Sequence, residues 1–341
     1  HEERIRPCVG LGYCVDRVNQ GKDALCGHNA VTGREAVLKH VPEKTTRPRQ
    51  IVVIGGGAAG LEAARVAALA GHKVHLFEAS NMLGGQLLLA AKGSVRRQMH
   101  GVLEWLINEV EKLDVDVQLN TLASESDALK HNPDVVVVAT GGWPIELECE
   151  GSEHAVSSWD VLSGNEIISG DVLLWDEMGA QSAAVTADYL TDRAHTVSFV
   201  TQDPTPLQEL GVTTRSVAMK ALYSKGVVFS TDLRIAHIQR QGNRLNVTLA
   251  NTLSEAETCV VVDHVVVENG SRPLSDVYDE LLPASKNKGV VDQAETITGR
   301  TVFPNLNEAG HFALARVGDC ISSRNLHAAI LDANRLIQGL S

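Results

Sequence analysis

Residues 51–80 read IVVIGGGAAGLEAARVAALAGHKVHLFEAS, and this stretch decides the fold. Four β-branched residues, Ile51 to Ile54, predict a short buried strand, and Ala58 to Ala70 is rich in the best helix formers, Ala and Leu. Lys73 to Phe77 predicts the next strand. Between the first strand and the helix, Gly55, Gly57 and Gly60 form G-x-G-x-x-G, and Glu78 follows 18 residues after Gly60. The first glycine permits a tight turn, the second lets a pyrophosphate approach the backbone, and the third lets helix and strand pack closely. The amides that open the helix face negative phosphates. Glu78 is placed to accept hydrogen bonds from ribose hydroxyls, and its charge argues against a 2′-phosphate, hence against NADP at this site.

Outward from this stretch, β-branched runs alternate with helical ones, the pattern of βαβ units and a parallel sheet. Val135 to Val138 closes the first half. A second unit of the same type is expected from about 171 to 268: strand Asp171 to Trp175, helix Ala180 to Leu190, strand Thr196 to Thr201, and strands near Gly226–Ser230, Leu245–Leu249 and Val265–Val267. The closing segment, with Gly318-Asp319 before a helix over Leu326 to Ile337, belongs with the first unit. The sequence therefore predicts an α/β chain of two Rossmann-like domains, the second inserted in the first. Residues 47–150 and 300–341 form one domain and 151–299 the other. Residues 1–46 lack a sustained period, carry five glycines, and read as a loop-rich, ligand-stapled segment. Pro42 to Arg49 reads as the linker.

The second unit departs from the first at its phosphate loop. Strand Asp171–Trp175 is followed by Asp176-Glu177-Met178-Gly179-Ala180-Gln181, where only Gly179 is a glycine. Two carboxylates beside a pyrophosphate repel it, so NADH is not expected there.

A formal net charge of −12 argues against nucleic acid, whose phosphates recruit clustered Lys and Arg. The longest apolar runs fall far short of a membrane span. Six cysteines are too few for a disulfide scaffold and point to a reducing, cytoplasmic compartment. Three of them, Cys8, Cys14 and Cys26, crowd the first segment, which suggests metal rather than disulfide; zinc, with His28 as a fourth ligand, is one choice. Cys149 and Cys320 are single thiols, His100, His264 and His311 have no motif around them, and no catalytic acid or base is assigned. The start, His1-Glu2-Glu3, has no initiator Met and is expected to be internal to a longer chain.

Residues 51–80, followed by Leu83-Gly84-Gly85-Gln86, resemble the FAD half of glutathione-reductase-type flavoproteins. Ala139-Thr140-Gly141-Gly142 resembles their ATG turn, and Gly318-Asp319 their Gly-Asp motif. That resemblance implies FAD held by Gly55, Gly57, Gly60, Glu78, Gly85, Gln86, Thr140, Gly141, Gly318 and Asp319, with Asp319 on a ribityl hydroxyl and the following helix pointing its positive end at the flavin.

RPCVGLGYCVDRVNQGKDALCGHNAVTGRE resembles the iron–sulfur segment of the trimethylamine dehydrogenase and 2,4-dienoyl-CoA reductase family. That family shows C-x2-C-x2 or 3-C-x11 or 12-C, whereas Leu11 stands here where the second cysteine belongs. The resemblance implies an iron–sulfur cluster on Cys8, Cys14 and Cys26, of a type that Leu11 leaves open: [3Fe–4S], [4Fe–4S] with an outside ligand, or none. It covers nearly the whole chain and implies a missing N-terminal TIM barrel of the Old Yellow Enzyme type that carries FMN. With the cysteine missing, the chain looks most like the subunits that demethylate dimethylglycine or N-methylproline. The implied role is electron transfer during oxidative N-demethylation, towards an electron-transfer flavoprotein or another accepting subunit, in an oligomer. In trimethylamine dehydrogenase the corresponding nucleotide site holds ADP, so a non-catalytic ADP module is an alternative. An NAD(P)H-dependent enoyl reductase is another.

Overall fold

The computed structural model describes residues 4–340, the side chain of Val95 aside. The opening His1-Glu2-Glu3, like Ser341, lies outside the described residues.

The cysteine segment is loop-rich but not without regular structure: a helix, α1 (Tyr13–Asn19), follows Gly12, whose φ of 77° turns the chain into it. The first parallel sheet then opens with β1 (Gln50–Ile54), the helix α2 (Ala58–Leu69) and β2 (Lys73–Phe77). It continues through the helix α3 (His100–Lys112), β3 (Asp116–Gln118) and β4 (Val135–Val138). Strand residues alternate between faces, and here both faces are buried. Ile51, Val53, Val135 and Val137 pack on one side with α2, α3 and the last helix of the chain. Val52, Ile54, Val136 and Val138 pack on the other with Tyr278, Leu281, Phe312 and Leu314.

After β5 (Gly142–Pro144) comes the second parallel sheet: β6 (Ala155–Ser157), β7 (Asp171–Asp176), the helix α4 (Gln181–Thr191), β8 (Thr196–Thr201), the helix α5 (Val212–Ser224) and β9 (Val228–Ser230). Next stand β10 (Leu233–Gln241), β11 (Arg244–Asn251) and β12 (Glu257–Val262). They form an antiparallel sheet of their own. The strand expected at Leu245–Leu249 as part of the parallel sheet is thus in a different one. The reason is local: Gly242, with φ 63°, and Asn243 make a two-residue hairpin turn, and only one face of β11 is buried, against Leu173, Trp175 and Val200. The parallel order resumes with β13 (His264–Glu268).

β14 (Ser271–Pro273) pairs with β5, and β15 (Ala313–Arg316) returns to the first sheet beside β4, before the final helix α6 (Leu326–Gln338). Because Tyr278 and Leu281 already lie in the first unit's core, we place the return to that unit near residue 271 rather than at 299/300.

The strand order is β15-β4-β1-β2-β3 in the first sheet and β6-β13-β7-β8-β9 in the second. In each, the connections reverse direction at one point, between β1 and β4 and between β7 and β13. Ligands of open α/β sheets bind in the crevice beyond the carboxyl ends of the strands at such a reversal.

Candidate functional site

At the first reversal the chain is built of glycine. A side chain at Gly55, whose φ is 108°, would strike the carbonyl of Ala139, so the turn after β1 and the turn after β4 run in direct contact. A methyl group on Gly60 would strike the carbonyl oxygen of Gly55, which is how closely α2 approaches its strand. Gly57 differs: a methyl there would meet nothing within 4 Å. It is the N-cap of α2, with no side chain capping the helix, so free amides and the positive helix end face open space. Glu78 accepts the Gly56 amide at 2.7 Å and both the amide and hydroxyl of Ser80 at 2.8 Å, which fixes its carboxylate at the rim. The residues present fit an adenine dinucleotide: a bare backbone cradle under the pyrophosphate and a carboxylate at the ribose position.

The other expected residues converge on the same crevice. Gly85 approaches the Cα of Gly57 so closely that a side chain there would lie 3.2 Å away. Gln86 Nε2 donates to Asp319 Oδ2 at 3.2 Å and lies 3.7 Å from the Cβ position of Gly141. Gly318, with φ 68°, packs its turn against Ala59 in the first turn of α2. Thr140 turns away, its hydroxyl donating to the Leu274 carbonyl. Burial raises the pKa of Asp319, against the pull of the Arg324 amide and Gln86. Arg324, which no sequence motif marks, holds this corner by donating to the Gly318 carbonyl and to Asp332.

The cysteine segment is tied to both units. Arg6 spans from the His28 carbonyl to Glu62 in α2 and lies over the Trp105 ring at 4.0 Å. Glu62 is fully buried; burial opposes its charge, but Arg65 and Arg6 beside it bring its pKa down to about 2, with Asn334 donating as well. Asp16 accepts the Thr213 amide at 2.9 Å and the Thr214 hydroxyl, capping α5 of the second unit. Sequence reasoning missed His327. Its Nε2 faces the Arg34 guanidinium at 3.2 Å, and since Arg only donates, Nδ1 carries the proton and donates to the Cys26 carbonyl at 2.7 Å. Its ring stacks on Tyr13. Only its place at the start of the helix after Gly318-Asp319 could have drawn attention to it.

Cys8 and Cys14 are exposed and Cys26 is half-buried, all as free thiols. Among the described residues no three His, Cys, Asp or Glu side chains gather as one metal ion requires, so a zinc site with His28 has no support; His28 Nε2 instead lies 2.8 Å from the Pro7 carbonyl. A cluster spreads its thiolates farther apart than one ion does. Leu11 lies over Gly27, 2.5 Å from where a Cβ would stand, and packs on the first core. The residues present therefore do not complete a four-cysteine cluster, and three thiolates are what the segment offers.

At the second reversal carboxylates replace glycine. Asp176 pairs in register with Glu268 at the ends of β7 and β13, and both are buried. Asp176 Oδ1 accepts the amides of Met178 and Gly179 at 3.1 and 3.0 Å. Burial, then the charges of Glu268 and Asp203, pushes its pKa up to about 7.

Residues 49–316 match the family described as pyridine nucleotide-disulphide oxidoreductase. The chain belongs to that family. Among curated members, it is 42% identical to the N,N-dimethylglycine/sarcosine dehydrogenase of Chromohalobacter salexigens, over 98% of this chain and 50% of that protein. It is 38% identical to a probable N-methylproline demethylase of Rhizobium meliloti, over 99% of this chain and 50% of that protein. The demethylases to which the cysteine segment pointed are thus among its relatives. A solved structure, 6-hydroxypseudooxynicotine amine oxidase from Pseudomonas geniculata N1, superposes with a TM-score of 0.83 at 23% identity, covering 99% of this chain and 49% of that one; at that identity it shows the fold alone. The chain spans about half the length of the curated relatives it matches. Among the described residues no helix is long and apolar enough to cross a membrane.

Proposed function

We propose that this chain is the electron-relay portion of a flavin and iron–sulfur dehydrogenase that removes N-methyl groups oxidatively from small amines such as dimethylglycine or N-methylproline. The observation that carries the reading is the uncapped, glycine-floored mouth of α2 beside Glu78 and Asp319. Gly55, Gly57 and Gly60 would hold the pyrophosphate of FAD, Glu78 its ribose, and Gly85, Gln86, Gly141, Gly318, Asp319 and the backbone of Thr140 the flavin end; ADP alone would use the first four. FAD, when bound, supplies one- and two-electron exchange. Within the chain, His327 near the start of α6 hydrogen-bonds the Cys26 carbonyl, which links the cysteine segment to the helix that follows Gly318-Asp319.

An iron–sulfur centre on Cys8, Cys14 and Cys26, an FMN-bearing barrel outside this chain, an electron-transfer flavoprotein as acceptor, an oligomeric assembly and a cytoplasmic location complete the reading. The names of the relatives and the half-length match support it. The rival reading, an NAD(P)H-dependent reductase, is disfavoured by Asp176 and Glu268 at the second crevice.

The test is the absorption spectrum of anaerobically purified protein with iron and sulfide analysis. Flavin bands with a broad shoulder bleached by dithionite, plus acid-labile sulfide, are expected. A colourless protein releasing only ADP would leave a structural nucleotide module and contradict the relay.

A further inference from the structure

The second unit keeps more of a nucleotide site than its sequence suggests. In the first unit, Glu78 Oε2 lies 2.9 Å from the Cβ position of Gly56, one residue before the N-cap of α2. In the second, Asp203 Oδ2 lies 2.9 Å from the Cβ position of Gly179, one residue before the N-cap of α4, Ala180. Glu78 follows β2 and Asp203 follows β8, the strand next to the loop-bearing one in each sheet. Asp203 Oδ2 is buried and has no hydrogen-bond partner among the described residues, so an acceptor at the ribose position stands free. The same is true of a donor: Gln181 Nε2, at the first position of α4, is buried without a partner, its orientation fixed by Arg96 donating to Oε1 at 2.6 Å. Helix α4 has no side-chain cap.

What fills the amide nest is one side chain. Gly179, with φ 59°, turns its amide and that of Met178 to one point, the anion nest of a phosphate loop. Asp176 Oδ1 occupies that point, while its other oxygen is buried without a partner. We infer that Asp176 is a built-in substitute for the pyrophosphate, and that it is the specificity-determining residue that keeps an otherwise competent second unit from binding a nicotinamide adenine dinucleotide without a 2′-phosphate. The inference extends the reading of the second unit as closed to NADH and does not depend on what fills the first.

NADH binding to the whole chain is read by energy transfer from tryptophan, Trp175 being next to the nest, with the first site's nucleotide content measured on the same samples. Wild type and Asp176→Asn, whose amide oxygen still fills the nest, should show no saturable binding to about 1 mM. Asp176→Ala should saturate at least about tenfold below that, a gain of ~1.4 kcal/mol, and should prefer NADH to NADPH by a similar factor because Asp203 faces the 2′ position. Asp176→Gly guards against a misfolded variant, the melting curve deciding which is read. Saturable binding to wild type, equal binding to Asp176→Asn and Asp176→Ala, or folded truncations that bind nothing would each overturn the inference. Loss of nucleotide from the first site in every sample would instead count against the proposed flavin site alone.

Discussion

The two Rossmann units share a topology and differ at the one place where topology brings a ligand. At the β1/β4 crevice glycines take the phosphate-loop positions, and the backbone runs so close that Gly55 and Gly60 admit no side chain. At the β7/β13 crevice it inserts two carboxylates in register, and one of them takes the amides that the loop would otherwise offer. A fold can thus be kept while its ligand is replaced by a side chain, because the nest needs only an oxygen acceptor, whoever supplies it.

The contrast breaks most violently at the closest approach. Gly60→Val should destabilise the chain by on the order of 4 kcal/mol or more, since backbone must move, whereas Ala183→Val, a buried position in α4, should cost about 1–3 kcal/mol by overpacking. Denaturant melts of the two variants make the comparison.

Next in size is the buried ion cluster that ties α2, but not α4, to the cysteine segment. Glu62→Ala leaves Arg65 and Arg6 without their buried partner and should cost about 3–5 kcal/mol. Since Glu62 has a lower pKa folded than unfolded, its contribution is present above pH 4.5 and is lost as pH falls towards 2, so the deficit of the variant should shrink over that range.

Asp176 works in the opposite sense. Its folded pKa, about 7, lies above the ordinary 3.8, so the folded state binds the extra proton between those values and stability falls as pH rises through them. Asp176→Asn should therefore be more stable than wild type at pH 8, by on the order of 3 kcal/mol, and no more stable near pH 4. A difference that does not change with pH would mean the carboxyl is not held as described.

The smallest effect sharpens the first site. Gly57→Ala adds a methyl to open space, so the melting temperature of the nucleotide-free chain should hardly change while bound nucleotide weakens by about 10- to 100-fold, ~1.4–2.8 kcal/mol, as measured by retention through gel filtration.

Most of the architecture was legible in the sequence because glycine spacing and β-branched runs are local signals. Gly55, Gly57, Gly60 and Glu78 stand where that spacing implied, and β15 joins β4 as the Gly318-Asp319 segment suggested. The antiparallel sheet was not separated from the parallel one, since Leu245–Leu249 has the composition of either kind of strand and only the partner decides. Asp176 was legible as a repulsive charge but not as an occupant of the nest, which depends on the φ of Gly179. His327 and Asp16 act across long sequence separations that no spacing rule reaches, whereas Arg324 reaches only Gly318 and Asp332 nearby and no motif marks it.

The most direct test is the identity and number of nucleotides released by denaturing the purified chain, measured by mass spectrometry. A single adenine nucleotide per chain, FAD or ADP, is predicted, lost from Gly57→Ala and kept by Asp176→Ala. Release of NAD from wild type, or of two nucleotides per chain, would contradict the division into one open and one closed unit.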